Sequence, residues 1–164
     1  MWLRWVTAMS ALSSPPVTGN DRARDRQDGA LSVLAQAGIT VRDRWFVKAP
    51  YSISDATELV GKLLQDPNRP GALICGNDVL AQGAIYAALR CGVSVPGDLS
   101  VIGIGDFKGS SEMEPSLTTE RLPARRIGLS AGERLAQSII HAEREVFRLC
   151  CDIELIERDT CAAR

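Results

Sequence analysis

The sequence has no charge of one sign in excess and no metal or redox signature. Lys plus Arg number 19 against 20 Asp plus Glu, for a formal net charge of -1. A free-standing nucleic-acid binder carries a basic surplus to neutralise phosphates, so that class is not expected here. No apolar stretch reaches the roughly 18 residues of a membrane-spanning helix, and no membrane partner is expected. His141 is the only histidine, and the five cysteines (Cys75, Cys91, Cys150, Cys151, Cys161) form no CxxC pair. An odd, scattered set of thiols suits neither a disulfide framework nor a zinc knuckle, and it points to a reducing compartment. Met1 to Pro16 holds a short apolar stretch, Trp5 to Leu12, without a good small-residue cleavage pattern. The chain reads as cytoplasmic, with neither metal nor cofactor expected.

What remains is an ordinary globular composition. The 164 residues are 45% hydrophobic and 24% charged, which excludes a disordered chain, a collagen and a coiled coil. The length predicts one domain or one large lobe with a core of its own. No solenoid-length repeat or low-complexity tract interrupts it.

The order of elements carries the fold. Asn20 or Asp21 caps a helix with apolar positions at Ala23, Ala30, Leu31, Leu34 and Ala35, stopped by Gly38. Trp45 to Val47 reads as a short strand. Ser54 or Asp55 caps a second helix with Leu59, Val60, Leu63 and Leu64 inward, ended by Pro67. Ala72 to Cys75 is a continuous apolar run, as a strand covered on both faces requires. Asn77 caps a third helix running to about Cys91, and Ser100 to Ile104 is another buried strand. A loop from Gly105 to Ser116 leads to an extended Leu117 to Thr119. Pro123 opens a fourth helix bearing Ile127, Leu135 and Ile139, and Cys151 to Ile156 is the last strand. The tail from Asp159 is expected to be loose. Strand and helix alternate at least three times, which predicts an α/β fold with a doubly wound parallel sheet.

In such sheets ligands bind beyond the carboxyl ends of the strands. The loops there carry Asn20 and Arg26 at the first helix, Tyr51 before the second, Asn77 before the third, and Asp106 after the Ser100 strand. Arginine forks and a helix start favour an oxyanion or ring hydroxyls. An aromatic face stacks on the apolar side of a sugar ring, and Asn and Asp pair with vicinal hydroxyls. Each has a plain alternative: a capped first turn, a surface aromatic, a helix cap, a turn carboxylate. Their convergence on one sheet edge is what makes a ligand site.

Enzyme readings find little support. Gly103, Gly105 and Gly109 resemble a dinucleotide turn, but no helix with an apolar face follows them. His141 lies among Ala142, Glu143 and Arg144 with nothing to complete a triad or a metal set. Glu112 and Glu114 flank Met113 on a loop without an acid–base partner. The chain is not expected to be an enzyme.

Several segments resemble the LacI/GalR family of sugar-responsive transcription regulators. They are Ala72–Ala84 (ALICGNDVLAQGA), Val95–Asp106 (VPGDLSVIGIGD), Pro115–Gly128 (PSLTTERLPARRIG), Gly19–Arg26 (GNDRARDR) and Glu154–Cys161 (ELIERDTC). The resemblance runs in order over residues 17–162 and implies a periplasmic-binding-protein-like type I effector domain, mainly its C-terminal lobe. It implies that Arg26, Asn77 and the Asp106 turn contact a sugar or sugar-acid effector, with Tyr51 where an aromatic is common. Gly105-Asp106 departs from the commoner Asp-Asp and is similar to the subgroup answering to gluconate-like acids. Glu120 replaces a usual apolar residue, so its strand is expected to be less buried.

The family pairs through helices of this region, which implies a homodimer with Val79, Leu80 and Ala84 in the interface, their plain alternative being a place in the core. Family members begin with a helix-turn-helix headpiece, and operator DNA is reached only through it. Residues 1–16 show no such pattern and are expected to be irregular, unless Trp2 to Val6 replaces the strand before the first effector loop. The chain thus reads as the sensing part of a regulator or a piece of one. The alternatives are a site-impaired association module of the same fold and a sugar-binding protein, which would need an export signal.

Overall fold

In a computed structural model, residues 10–14, 19–141, 146 and 148–162 are described. The elements run β1 (Ser10–Ser14), α1 (Asp21–Gln36), β2 (Phe46–Lys48), α2 (Ile53–Leu64), β3 (Ala72–Cys75), α3 (Asp78–Arg90), β4 (Ser100–Gly105), β5 (Thr118–Arg121), α4 (Ala124–His141) and β6 (Glu154–Ile156). One six-stranded sheet has the order β2-β1-β3-β4-β5-β6. The first five strands are parallel, with Leu12 opposite both Phe46 and Ile74, and Ile102 opposite Thr118. β6 runs antiparallel to β5, so the last strand departs from the all-parallel expectation.

Side-chain oxygens start the helices. Asn20 Oδ1 accepts from Ala23 N, Ser52 Oγ from Asp55 N, and Asn77 Oδ1 from Leu80 N. The second cap is thus Ser52, not Ser54 or Asp55. The core lies between the sheet and α2 and α3, where Val60, Leu80, Ala84, Ala88, Leu99 and Val101 are sealed from solvent. Thr57 Oγ1 donates across this helix pair to Gly83 O. Right-handed crossovers place α1 on the opposite face, where Ala23 and Leu34 are buried.

Three expectations change. Ser10–Ser14 is a strand between β2 and β3, so the segment expected to be irregular supplies part of the sheet; Trp2 to Val6 lie outside the described residues. The tail is fastened, because Thr160 is fully buried, donating to Val101 O and accepting from Thr118 N. Asp159 N also donates to Ser116 O. Glu120 is 4% exposed, so its strand is not less buried than apolar relatives would be. The fourth helix forms, but no residue of α4 is buried, and Ile127, Leu135 and Ile139 stand half exposed or more.

Candidate functional site

The strand order turns around between β1 and β3. Their carboxyl ends release α1 and α3, which leave toward opposite faces, and the crevice so formed is where open α/β sheets bind ligands. Arg26, in the second turn of α1, crosses this crevice. Its Nη1 donates to Gly76 O at 2.9 Å, tying the helix to the end of β3. A guanidinium has five N–H donors, and this bond uses one. Asn20 is half-buried at the start of the same helix, its Oδ1 committed to the cap. Asn77 is 9% exposed, and its Oδ1 is likewise committed. Both asparagines therefore fix helix ends, each with one lone pair of its carbonyl oxygen spent on the cap.

Asp106 follows β4 in the left-handed region, at φ 51. Its carboxylate is engaged on both sides: Arg121 Nε donates to Oδ2 and Arg158 Nη2 to Oδ1, each at 2.6 Å. Arg158 also donates to Leu117 O, and Arg121 to Glu154. Burial by itself would raise the carboxyl pKa, but the hydrogen bonds and charges of Arg158 and Arg121 outweigh it and hold it below the usual value. Asp106 is thus a bridge between two arginines rather than an acceptor waiting for two hydroxyls. Gly105 before it has φ 140, and a Cβ there would lie 2.5 Å from the Phe107 ring. The aromatic ring fills the space where a second acidic side chain would need to stand.

The edge is consequently rich in donors. Arg121 and Arg158 pair with Asp106 and Glu154, and Arg26 adds a third guanidinium, bonded to the Gly76 carbonyl. Arg121 and Arg158 did not stand out in the sequence; the first lies two residues past the extended Leu117–Thr119 piece, and the second directly precedes the tail expected to be loose. Asp78, beside the cap residue Asn77, is a third missed position. It is 3% exposed and accepts from Phe107 N, Ser110 Oγ and Thr119 Oγ1. Burial pushes the Cys75 and Cys161 thiols up from their ordinary value, so neither is a thiolate nucleophile. Among the described residues no group of three His, Cys, Asp or Glu is placed to hold a metal ion. Nor is any described helix long and apolar enough to cross a membrane.

Tyr51 does not join the edge. It lies 49% exposed in a groove with Ile53, Thr57, Val79, Tyr86 and Arg90, on the outer side of α2 and α3. A second groove shares Tyr86 and runs past Gln82 and Leu89 to Met113 and Pro115. These grooves correct the interface residues. Leu80 and Ala84 are fully buried in the core and unavailable to a partner, whereas Val79 lies at the surface. The helical period explains the split, since Val79, Gln82, Tyr86 and Leu89 share the face opposite Leu80, Ala84 and Ala88.

Comparison with known proteins agrees with this architecture. The profile of the periplasmic binding protein-like domain matches residues 7–161. The chain is 35% identical over 137 residues to the HTH-type transcriptional repressor PurR of Serratia proteamaculans, covering 84% of this chain and 40% of that protein. A LacI family transcriptional regulator from Mycobacterium smegmatis superposes with a TM-score of 0.84 at 30% identity, over 95% of this chain and 58% of its own. The lac repressor dimer bound to operator and the anti-inducer ONPF gives 0.85 at 26% identity, over 95% and 53%. The chain spans well under two thirds of the length of the relatives it matches. With the profile covering nearly its whole length, the chain belongs to the periplasmic binding protein-like domain family, and the relatives it matches there are transcriptional repressors and LacI-family regulators rather than enzymes.

Proposed function

We propose that this chain is the ligand-sensing part of a LacI-type transcriptional regulator, and that its effector is a sugar acid. The observation that carries the acid is the state of Asp106. A neutral sugar is held largely through acceptors for its hydroxyls, and the Asp106 carboxylate at this edge already accepts one charged bond on each oxygen, from Arg121 and Arg158. What the edge offers is N–H donors, with Arg26 spanning the crevice between β1 and β3. A carboxylate pairs with a guanidinium fork through two charge-assisted bonds, which a hydroxyl cannot do. Effector binding then works by linkage: it favours one arrangement of the effector domain, and operator affinity in the full regulator changes with it. Operator contact belongs to a headpiece, in the cytoplasm, and self-association to the α3 face of Val79, Tyr86 and Leu89. Calorimetric titration with a panel of sugar acids tests the site. Arg26→Ala is expected to weaken binding by about 1.5–3 kcal/mol, the worth of a hydrogen bond to a charged group. Unchanged affinity would remove Arg26 from the site.

One observation favours a second reading, an association module whose site no longer functions. α4 buries no residue, and Tyr86 and Leu89 add exposed apolar surface on α3; contiguous apolar surface of this kind marks interaction sites. Sedimentation of a monomer at low micromolar concentration would count against that reading.

A further inference from the structure

We propose that Asp78 is a positioning residue for the effector edge: its buried carboxylate holds the turn from Gly105 to Ser110 in one conformation. The inference rests on the reading of that turn as part of the effector site. Asp78 is the first residue of α3 and is 3% exposed, so it does not touch a ligand itself. Its Oδ2 accepts from the Phe107 N–H at 2.9 Å and from the Ser110 hydroxyl at 2.6 Å. Its Oδ1 accepts from the Thr119 hydroxyl at 2.5 Å. The Thr119 oxygen in turn accepts from the Asp106 N–H at 3.4 Å. One carboxylate thereby joins three segments: the start of α3, the β4–β5 turn and strand β5.

The surroundings are built to admit it. Gly103 lies where any side chain would collide with Asp78 Oδ1. Ser110 is 2% exposed and Thr119 is sealed, so the hydroxyls have no water to turn to. All three direct partners are donors, and only an ionised carboxylate is an acceptor on both oxygens. An amide at this position would set an N–H₂ group against one of those donors. Loss of this carboxylate frees the Phe107 N–H and loosens the neighbouring Asp106, whose side chain orients Arg121 and Arg158.

The test compares wild type with Asp78→Asn, Thr119→Val and Thr119→Ser by amide hydrogen exchange, alongside thermal shift with D-gluconate as the probe. In D78N and T119V, exchange at Asp106 and Phe107 is expected to quicken about tenfold or more, as local opening replaces a fixed bond. Val60 and Leu63 in α2 should keep their protection, and T119S, which retains the hydroxyl, should resemble wild type. The gluconate response should fall in D78N and T119V and survive in T119S. Unchanged exchange at Phe107 in D78N would overturn the proposal, as would an equal quickening in α2, which marks a merely structural role. Should D78N fail to fold, the T119V and T119S pair decides by the same readouts. A turn that loosens while the wild type ignores gluconate overturns the acid effector and leaves the positioning of the turn by Asp78 standing.

Discussion

Glu120 offers the sharpest test of how the sheet is held. It lies on β5 between Ile104 of β4 and Leu155 of β6, 4% exposed, with Oε2 lacking a hydrogen-bond partner among the described residues. Burial raises its carboxyl pKa above the ordinary value, so the folded chain holds this proton more tightly than the unfolded chain does. The sign follows from linkage: where the folded state binds more protons, stability falls as pH rises. The loss begins near the unfolded pKa and is complete once the pH has passed the raised folded value. Above its raised folded pKa the group is a buried carboxylate with an unsatisfied oxygen, a state that costs about 1–3 kcal/mol. Glu120→Leu should recover that cost and raise the melting temperature at pH 7, at about 2–4 °C per kcal/mol for a chain of this size. Glu120→Gln should flatten the pH dependence above about pH 4.5 relative to wild type, since it removes the titrating group. Urea melts across that range measure both. A Leu variant that melts lower at pH 7, or identical pH slopes for wild type and E120Q, would refute the reasoning.

Other substitutions separate core, surface and tail. Leu80→Ala should cost about 2–5 kcal/mol by opening a core cavity. Leu89→Ala should change monomer stability by less than about 0.5 kcal/mol, yet raise the dissociation constant for self-association measured by sedimentation. Thr160→Val keeps the shape but strands the buried Thr118 N–H, for a loss of about 1–3 kcal/mol in denaturant melts. Arg158→Ala removes a charged partner of Asp106, whose depressed pKa contributes stability present at neutral pH and lost as pH falls through the folded value. The gap between wild type and R158A in melting experiments should therefore be wider at pH 7 than in acid, where only the loss of the Leu117 O bond remains, and a gap of equal size at both would contradict the pairing.

Periodicity and turn chemistry made most of the scaffold legible. Asn20 and Asn77 cap where their side chains predict, and the apolar runs at Ala72–Cys75 and Ser100–Ile104 became inner strands. β1 escaped because its sequence, SALSS, has little of the apolar run or alternation that marks a strand; its neighbours on both sides supply the pairing. Thr160 was misread for a related reason, since a polar residue near a terminus looks solvated until β4 and β5 provide its partners. On α3 the apolar positions were visible, but Leu80 and Ala84 were assigned outward where the helix turns them in.

The candidate site was legible as a place more than as chemistry. Topology put the loops after β1, β3 and β4 at one edge, and Arg26 reaches across it as its position on α1 suggested. Asp106 looked like a free acceptor because its partners are 15 and 52 residues away, beyond any local pattern. Asp78 was hidden for the same reason, its three donors being 29 to 41 residues away. Long-range hydrogen bonds decide whether a polar side chain is a ligand contact or a strut, and spacing alone does not encode them.

The central claim is that this edge recognises a carboxylate on a sugar. The direct measurement is a thermal-shift comparison of matched pairs, D-gluconate with D-glucose and D-galactonate with D-galactose, on wild type and Arg26→Ala. A ligand bound by the folded state raises the melting temperature saturably. The account predicts a shift for an acid, little or none for its neutral partner, and its loss in R26A. An equal shift for both members of a pair, or an acid shift that R26A leaves intact, would contradict it.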